Sequence, residues 1–252
     1  MDIRDILQSL KEGKIDIQEA ERQLRLDHVD SIGCDVLFDE SRALRKNIPE
    51  IIYGATKEPG TIAGILKMRE GRLSIVSKVD PEKYDAVSKI VEGTEYDRKA
   101  GMIISGEMPV QDKGVIGIVT AGTSDIPIAE EARIVAESMG VRCMTFYDIG
   151  VAGIHRLIGP MKRLIESDVS VIVVVAGMEG ALPTVISSLS PVPVIGVPVS
   201  TGYGLGGNGE AALMSILQSC SLGLTAVNID NGVGAGATAA LIAIGRSGAK
   251  SE

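Results

Sequence analysis

With 252 residues, 25 Lys and Arg against 33 Asp and Glu, and a formal net charge of −8, the chain argues against general nucleic-acid or membrane-surface binding. Three cysteines without CxxC spacing and only two histidines, His28 and His155, argue against a structural zinc site or a disulfide framework. Pro183, Pro191, Pro193 and Pro198 break one uncharged run, polar residues from Gln218 to Asn228 break the next, and the N-terminus is charged from Asp2, so no membrane span or signal peptide is read and a soluble cytoplasmic protein is expected.

Along the chain, Ile3, Ile6, Leu7 and Leu10 mark one amphipathic helix within Asp2–Lys11. Asp16 is placed to cap a second helix that runs to about Leu26. Val36-Leu37-Phe38 reads as a short strand. A helix over Ser41–Lys46, a strand over Ile51–Gly54 and a helix over Thr61–Arg69 follow, with further strands at Leu73–Ser77 and Gly101–Ser105. Residues 1–110 are therefore expected to form a small N-terminal α/β domain.

From residue 111 to 252 the pattern changes to apolar runs alternating with helical periodicity, the signature of a parallel sheet covered on both faces. Strands are predicted at Val115–Thr120, Arg142–Tyr147, Val169–Ala176, Val194–Val199 and Leu224–Ile229. The intervening helices are Ile126–Met139, Gly153–Ser167, Leu182–Ser188, Gly209–Ser219 and Gly234–Ile244. This is a doubly wound α/β domain, in which ligands bind outside the carboxyl ends of the strands. Between Gly180 and Gly245 only Glu210 and Asp230 are charged, although 23% of the chain is charged. That segment is expected to be buried, by its own domain and by sister subunits.

Four strand ends carry the polar residues. Gly122-Thr123-Ser124-Asp125 joins a strand to a helix and either binds a phosphate or simply caps the helix. His155-Arg156 opens the next helix, where a titratable ring and a cation can face a ligand. Gly177-Met178-Glu179-Gly180 ends the most apolar strand in a glutamate that is costly to bury without purpose. It is a candidate general base or metal ligand, or an acceptor for the turn's own amides. Thr201–Gly209 holds five glycines in nine residues and can wrap a nucleotide. The later cluster from Gly232 to Gly236 imitates a dinucleotide fingerprint but follows the last strand, so it is not read as one.

Gly117 through Asp125, His155-Arg156, Gly177–Pro183 and Pro193–Val199 together resemble the aminoimidazole ribonucleotide carboxylases. A closer resemblance covers nearly the whole chain. Asp39–Arg45, Pro49-Glu50, Tyr53-Gly54 with Lys57, Val151–Arg156, Gly177–Gly180, Leu217-Gln218-Ser219-Cys220 and Val227–Gly232 are similar, in order, to the LarB carboxylase-hydrolases of nickel-pincer nucleotide biosynthesis. The resemblance implies carboxylation of nicotinic acid adenine dinucleotide at C5 of its pyridinium ring and hydrolysis of its phosphoanhydride. It also implies a homo-octamer, and Gly122, Thr123, Ser124, Asp125, Arg156, Gly177, Met178, Gly180 and Asp230 are the expected substrate contacts from their positions at or after the strand ends.

An electron-poor pyridinium carbon does not attack CO₂, so the ring must first be made electron-rich. Addition of the Cys220 thiolate to C4 would turn C5 into an enamine carbon. Cys220 is the expected nucleophile, Glu179 the first choice of base and His155 the second, with CO₂ or bicarbonate as co-substrate. Cys220 ends a predicted helix, where the macrodipole disfavours a thiolate and the cationic ring has to stabilise it. Mg²⁺ is expected from the phosphoanhydride chemistry, and Asp125, Glu179 and Asp230 are open alternatives as its ligands. Two other readings stand beside this one: an aminoimidazole ribonucleotide carboxylase or mutase, and a regulatory module that binds a nucleotide without turning it over. Arg42, Arg45, Lys46 and Lys57 are either diphosphate contacts or a solvated face.

Overall fold

The computed structural model describes residues 3–24, 30–32, 36–38 and 48–249. Cys34, His28 and the segment Asp39–Lys46, with its expected helix and cations, lie outside the described residues. Helices α1 (Ile3–Lys11) and α2 (Ile17–Leu24) open the chain, and the Asp16 carboxylate accepts the Glu19 N–H at 2.8 Å, the expected cap. Strands β1 (Asp30–Ile32) and β2 (Val36–Phe38) pair antiparallel.

A four-stranded sheet follows, built from β3 (Ile51–Tyr53), β4 (Ser74–Ser77), β5 (Thr94–Asp97) and β6 (Met102–Ser105) in the order β3-β4-β6-β5. Helices α3 (Pro59–Met68) and α4 (Pro81–Ser88) cover one face of it. Ile62, Ile65 and Leu66 of α3 and Val87 of α4 meet Ile52, Val76 and Ile103 there in a closed core. The other face turns inward, because Ile75, Ala100 and Met102 join the apolar cluster of the second half of the chain.

That second half is a five-stranded parallel sheet. Its strands are β7 (Val115–Thr120), β8 (Arg142–Phe146), β9 (Ile172–Ala176), β10 (Val194–Pro198) and β11 (Leu224–Ala226), in the order β11-β10-β9-β7-β8. Alternation along β9 explains its uninterrupted apolar run. Val173 and Val175 face the cluster with α5 (Ile126–Ser138) and α9 (Gly232–Ala249), whereas Ile172, Val174 and Ala176 face α6 (Ile158–Glu166) and α7 (Ala181–Leu189). Helix α8 (Glu210–Leu217) lies beside α7 over β10, with Ile216 close to Gly196. The C-terminal glycine cluster serves packing: a Cβ at Gly232 or Gly236 would collide with α5 backbone carbonyls of Ile128 or Ala132.

Four expectations are corrected. Helix α4 and strand β5 were not read from the sequence. The segment after β8 is a 3₁₀ stretch over Val151–Leu157, kinked at Gly153, before α6 begins. Strand β11 stops at Ala226, which leaves Asn228, Ile229 and Asp230 in a loop, and α9 begins earlier and runs further than expected. The charge-poor segment is only partly covered by its own chain: Leu182 and residues 194–199 and 235–243 supply buried core residues, but Tyr203, Leu205, Met214, Leu217 and Leu222 are exposed, with Leu205 and Leu222 almost wholly so.

Candidate active site

The sheet order reverses between β7 and β9, and neighbouring crossovers leave that point on opposite faces, which opens a crevice at the carboxyl ends. A cavity of about 310 Å³ occupies it, and Gly122, Ser124 and Asp125, Asp148 and Arg156, Gly177, Met178 and Glu179, and Thr201 are among its walls. These come from the ends of β7, β8, β9 and β10 respectively.

Asp125 is the buried charge of this pocket, 3% exposed. Its Oδ2 accepts the Gly122 N–H at 2.8 Å, and the Thr201 hydroxyl lies 3.5 Å from its Oδ1 as donor. Burial raises its pKa and the hydrogen bonds from Gly122, Thr201 and Ala121 oppose the rise, with burial the larger effect. The cap reading of this residue is met only within the 3₁₀ turn over Thr123–Asp125, which Asp125 ties to its own Gly122; Asp125 stands at the N-cap of α5 but makes no side-chain cap bond to that helix. Arg156 donates to the Asp148 carbonyl at 2.7 Å and pairs with its carboxylate at 2.9 Å. Gly177 permits close approach, because a Cβ there would strike the Thr201 carbonyl oxygen.

Glu179 lies in this pocket but is exposed, so the expectation of a buried strand-end carboxylate is corrected. The turn carrying it projects past the sheet, and Gly180 (φ 61°) passes directly into α7. Thr123 is exposed in the 3₁₀ turn between Gly122 and Ser124. Gly180 packs against Ala212 of α8, behind the pocket. His155 is exposed on the 3₁₀ stretch and is not among the pocket residues, although its neighbour Arg156 is.

Cys220 is exposed and free, in the turn from α8 to β11. That turn feeds the amino end of β11: the adjacent Gly223 carbonyl accepts the N–H of Val194, the first residue of β10. Helix α8 starts at the pocket end and spans eight residues, about 12 Å, before Cys220 is reached. Cys220 is not among the residues that line the pocket, although the hydroxyl of its neighbour Ser219 accepts from Thr184, on the first turn of α7 just past the pocket residues Ala181 and Leu182. Cys143 is half-buried in β8, where burial pushes its thiol pKa up, the mark of an inert packing cysteine.

A second cavity, about 650 Å³, opens beside the first, between the N-terminal sheet and the end of β11. Tyr53 and Lys78 form one side, and Glu131 with Asn228, Asp230 and Asn231 the other. Lys78 Nζ pairs with Glu131 Oε1 at 2.6 Å, and Glu131 is 2% exposed. Burial raises the Glu131 pKa; the bond and charge of Lys78 oppose this and Asp230 adds to it. The same helix anchors the N-terminal sheet through Arg133, which binds Glu130, Glu137 and Asp97 at 2.7, 2.6 and 3.0 Å. Burial alone would lower the Arg133 pKa, but those carboxylates outweigh it and hold the guanidinium charged. Tyr147 donates a short hydrogen bond to Glu130 in the same network.

Sequence reasoning missed Lys78 and Glu131, whose pairing joins distant segments and leaves no local pattern. The backbone marks both cavities. Of the six non-glycine residues with positive φ among the described residues, Asp148 and Met178 belong to the first cavity, Lys78 and Asp230 to the second. No three His, Cys, Asp or Glu side chains converge on a metal position among the described residues, and no helix among them is long and apolar enough to cross a membrane.

The comparisons agree with this architecture. A family model described as AIR carboxylase matches residues 115–250, and one described as LarB/PurE-like N-terminal domain matches residues 30–107. An uncharacterised protein of Methanocaldococcus jannaschii is 44% identical, covering 96% of each chain. The N5-carboxyaminoimidazole ribonucleotide mutase of Pyrococcus horikoshii is 34% identical over 48% of this chain and 67% of its own. That of Thermotoga maritima is 33% identical over 50% of this chain and 73% of its own. An AIR carboxylase half behind a LarB-type N-terminal domain, with the strand-end pocket in the carboxylase half, identifies the chain as a member of the LarB family.

Proposed function

We propose that the protein carboxylates the pyridinium ring of nicotinic acid adenine dinucleotide at C5 and hydrolyses the phosphoanhydride, releasing AMP and pyridinium-3,5-biscarboxylic acid mononucleotide in the cytoplasm. The observation that carries this reading is an exposed free thiol, Cys220, on a chain that joins the LarB-type and AIR carboxylase halves.

In this reading the Cys220 thiolate adds to C4 of the pyridinium ring, and the cationic ring becomes a neutral dihydropyridine. C5 then attacks CO₂, a base removes the C5 proton, and expulsion of the thiolate restores the aromatic cation. Two carboxyls of one pocket in unlike surroundings suit divided roles: exposed Glu179 as the base, and buried Asp125, whose pKa burial raises, as the group that holds the turn in place. Arg156, Gly122, Ser124 and the Gly177 turn orient the mononucleotide half, and Cys220 comes from a neighbouring copy. The exposed apolar residues of α8, Met214 and Leu217, lie on the way to that thiol and support assembly through this region, up to the expected octamer. For Mg²⁺ the pocket offers no preformed cage, but Glu179 beside substrate phosphates fits the ion's habit of few carboxylate ligands. When bound, the ion would offset phosphate charge.

The test is to incubate purified protein with the dinucleotide, bicarbonate and Mg²⁺ and follow AMP and a product one carboxylate heavier by mass spectrometry, with Cys220→Ala in parallel. Product from the wild type alone supports the reading, and its absence from the wild type overturns it. The names of the mutase relatives favour a second reading, carboxyl transfer on an imidazole ribonucleotide. In that case Cys220→Ser keeps activity on the imidazole substrate.

A further inference from the structure

The exit of β8 is built around a hydroxyl that the mechanism above does not use. Thr120 ends β7, is fully buried and is not among the residues that line the strand-end pocket. By alternation it shares a strand face with Ile116 and Ile118, which belong to the apolar cluster with α5 and α9. Valine would suit such a place in a parallel strand, and a hydroxyl is costly there unless it is hydrogen-bonded.

The bond it makes accounts for the choice. The register between β7 and β8 ends at Val119 and Phe146, and the residues beyond are stitched to β7 by their amides. Thr120 Oγ1 accepts the Asp148 N–H at 3.0 Å, the Thr120 carbonyl accepts the Ile149 N–H at 3.1 Å, and the Ala121 carbonyl accepts the Gly150 N–H at 2.9 Å. Asp148 is left-handed at φ 57°, a conformation that strains a residue other than glycine, and the hydroxyl is what meets its N–H. Turned in this way, Asp148 holds Arg156 twice, accepting from Nη1 at its carbonyl at 2.7 Å and at Oδ2 at 2.9 Å. The arginine runs close over Gly153, where a Cβ would lie 2.8 Å from Nε. Asp148 and Arg156 both line the pocket. Tyr147, one residue earlier, donates to Glu130, so the end of β8 has an anchor of its own and the Thr120 hydroxyl acts on the turn.

We propose that Thr120 is a positioning residue for the reaction: its buried hydroxyl keeps Asp148 in the left-handed turn, and Asp148 in turn aims the Arg156 guanidinium into the strand-end pocket. The proposal rests on Arg156 orienting the substrate, as in the reading above, and Thr120 acts only through Asp148.

The experiment compares the wild type with Thr120→Val, Thr120→Ala and Thr120→Ser. Valine keeps the shape of the buried side chain and alanine removes the hydroxyl without crowding, so a folded variant lacking the hydroxyl is at hand. Arg156 is followed by its rate of modification with phenylglyoxal, read by peptide mass spectrometry, and the reaction by KM and kcat for the dinucleotide. In the valine and alanine variants Arg156 should be modified several-fold faster, and KM should rise roughly tenfold while kcat stays within about twofold. Serine should restore wild-type values, which a general loss of packing would not allow. Unchanged Arg156 reactivity in both hydroxyl-free variants, an unchanged KM, or a serine variant as defective as they are overturns the proposal. The parent reading is judged separately, by the wild type: if it leaves the dinucleotide intact that reading falls, and the modification rate of Arg156 still decides the role of Thr120.

Discussion

Two defective variants should restore each other. Cys220→Ala removes the thiol and Asp125→Asn disables the pocket, and each alone is expected to abolish dinucleotide carboxylation. Helix α8, about 12 Å long, separates the pocket end of the chain from Cys220, whereas covalent attack requires the reacting atoms about 3–3.5 Å apart. In the proposed reaction an intact thiol therefore serves a pocket on another copy. When the two variants are co-expressed under different tags and purified through both, every chain carries one defect and no site made from one chain is whole. A site built from two chains at random is whole in about one case in four, so the mixed assembly should recover about a quarter of wild-type activity. The assay is AMP release and carboxylated product by mass spectrometry, with each parent purified through the same two tags as control. Mixed assemblies as inactive as both parents would refute the shared site.

Asp125→Asn should also stabilise the fold near neutral pH. The raised native pKa means the stabilising contribution is present below the unfolded pKa and is lost as pH rises through the folded value; at pH 7 the ionised group burdens the native state. The Asn amide can accept from Gly122 and donate to Thr201, so Tm should rise by a few degrees at pH 7–8, with the difference gone near pH 3 in thermal melts. Lys78→Met leaves buried Glu131 without its cation and should cost about 2–3 kcal/mol in urea unfolding, below the range for fully buried pairs because Lys78 is one-third exposed. Adding Glu131→Gln should recover most of that loss. Gly177→Ala drives a methyl into the Thr201 carbonyl, and product formation should fall at least tenfold while the circular dichroism spectrum is kept. Met214→Lys with Leu217→Lys should yield a smaller species by sedimentation, because both side chains are exposed on the face proposed for assembly.

The residues legible in the sequence were those whose signal is local. The β7 and β9 runs could only be strands covered on both faces, and Gly122–Asp125 and Gly177–Gly180 were found because glycine and acid adjoin at strand ends. Helix α4 escaped because it buries only Val87, and its order depends on Tyr84 stacking with Tyr96 at 4.7 Å from another element. Strand β5, Thr-Glu-Tyr-Asp, has no apolar alternation and owes its conformation to pairing with β6. Glu179 read as buried because the strand before it is the most apolar in the chain, but one turn past the sheet is enough to reach solvent. Glu131 lay in an ordinary helical stretch, and only the fold brings Lys78 to it across 53 residues.

Helix α5 carries the buried acid of the pocket at its start and, on its next turns, the charges that hold the N-terminal sheet. Removing that sheet would strip Glu131 and Arg133 of Lys78 and Asp97, and would leave Glu131 buried without its cation on the helix that begins at the strand-end pocket. The carboxylase half of this chain should therefore lose stability when it is expressed alone. Substitutions on the face of the N-terminal sheet should be felt as altered chemistry as readily as altered stability.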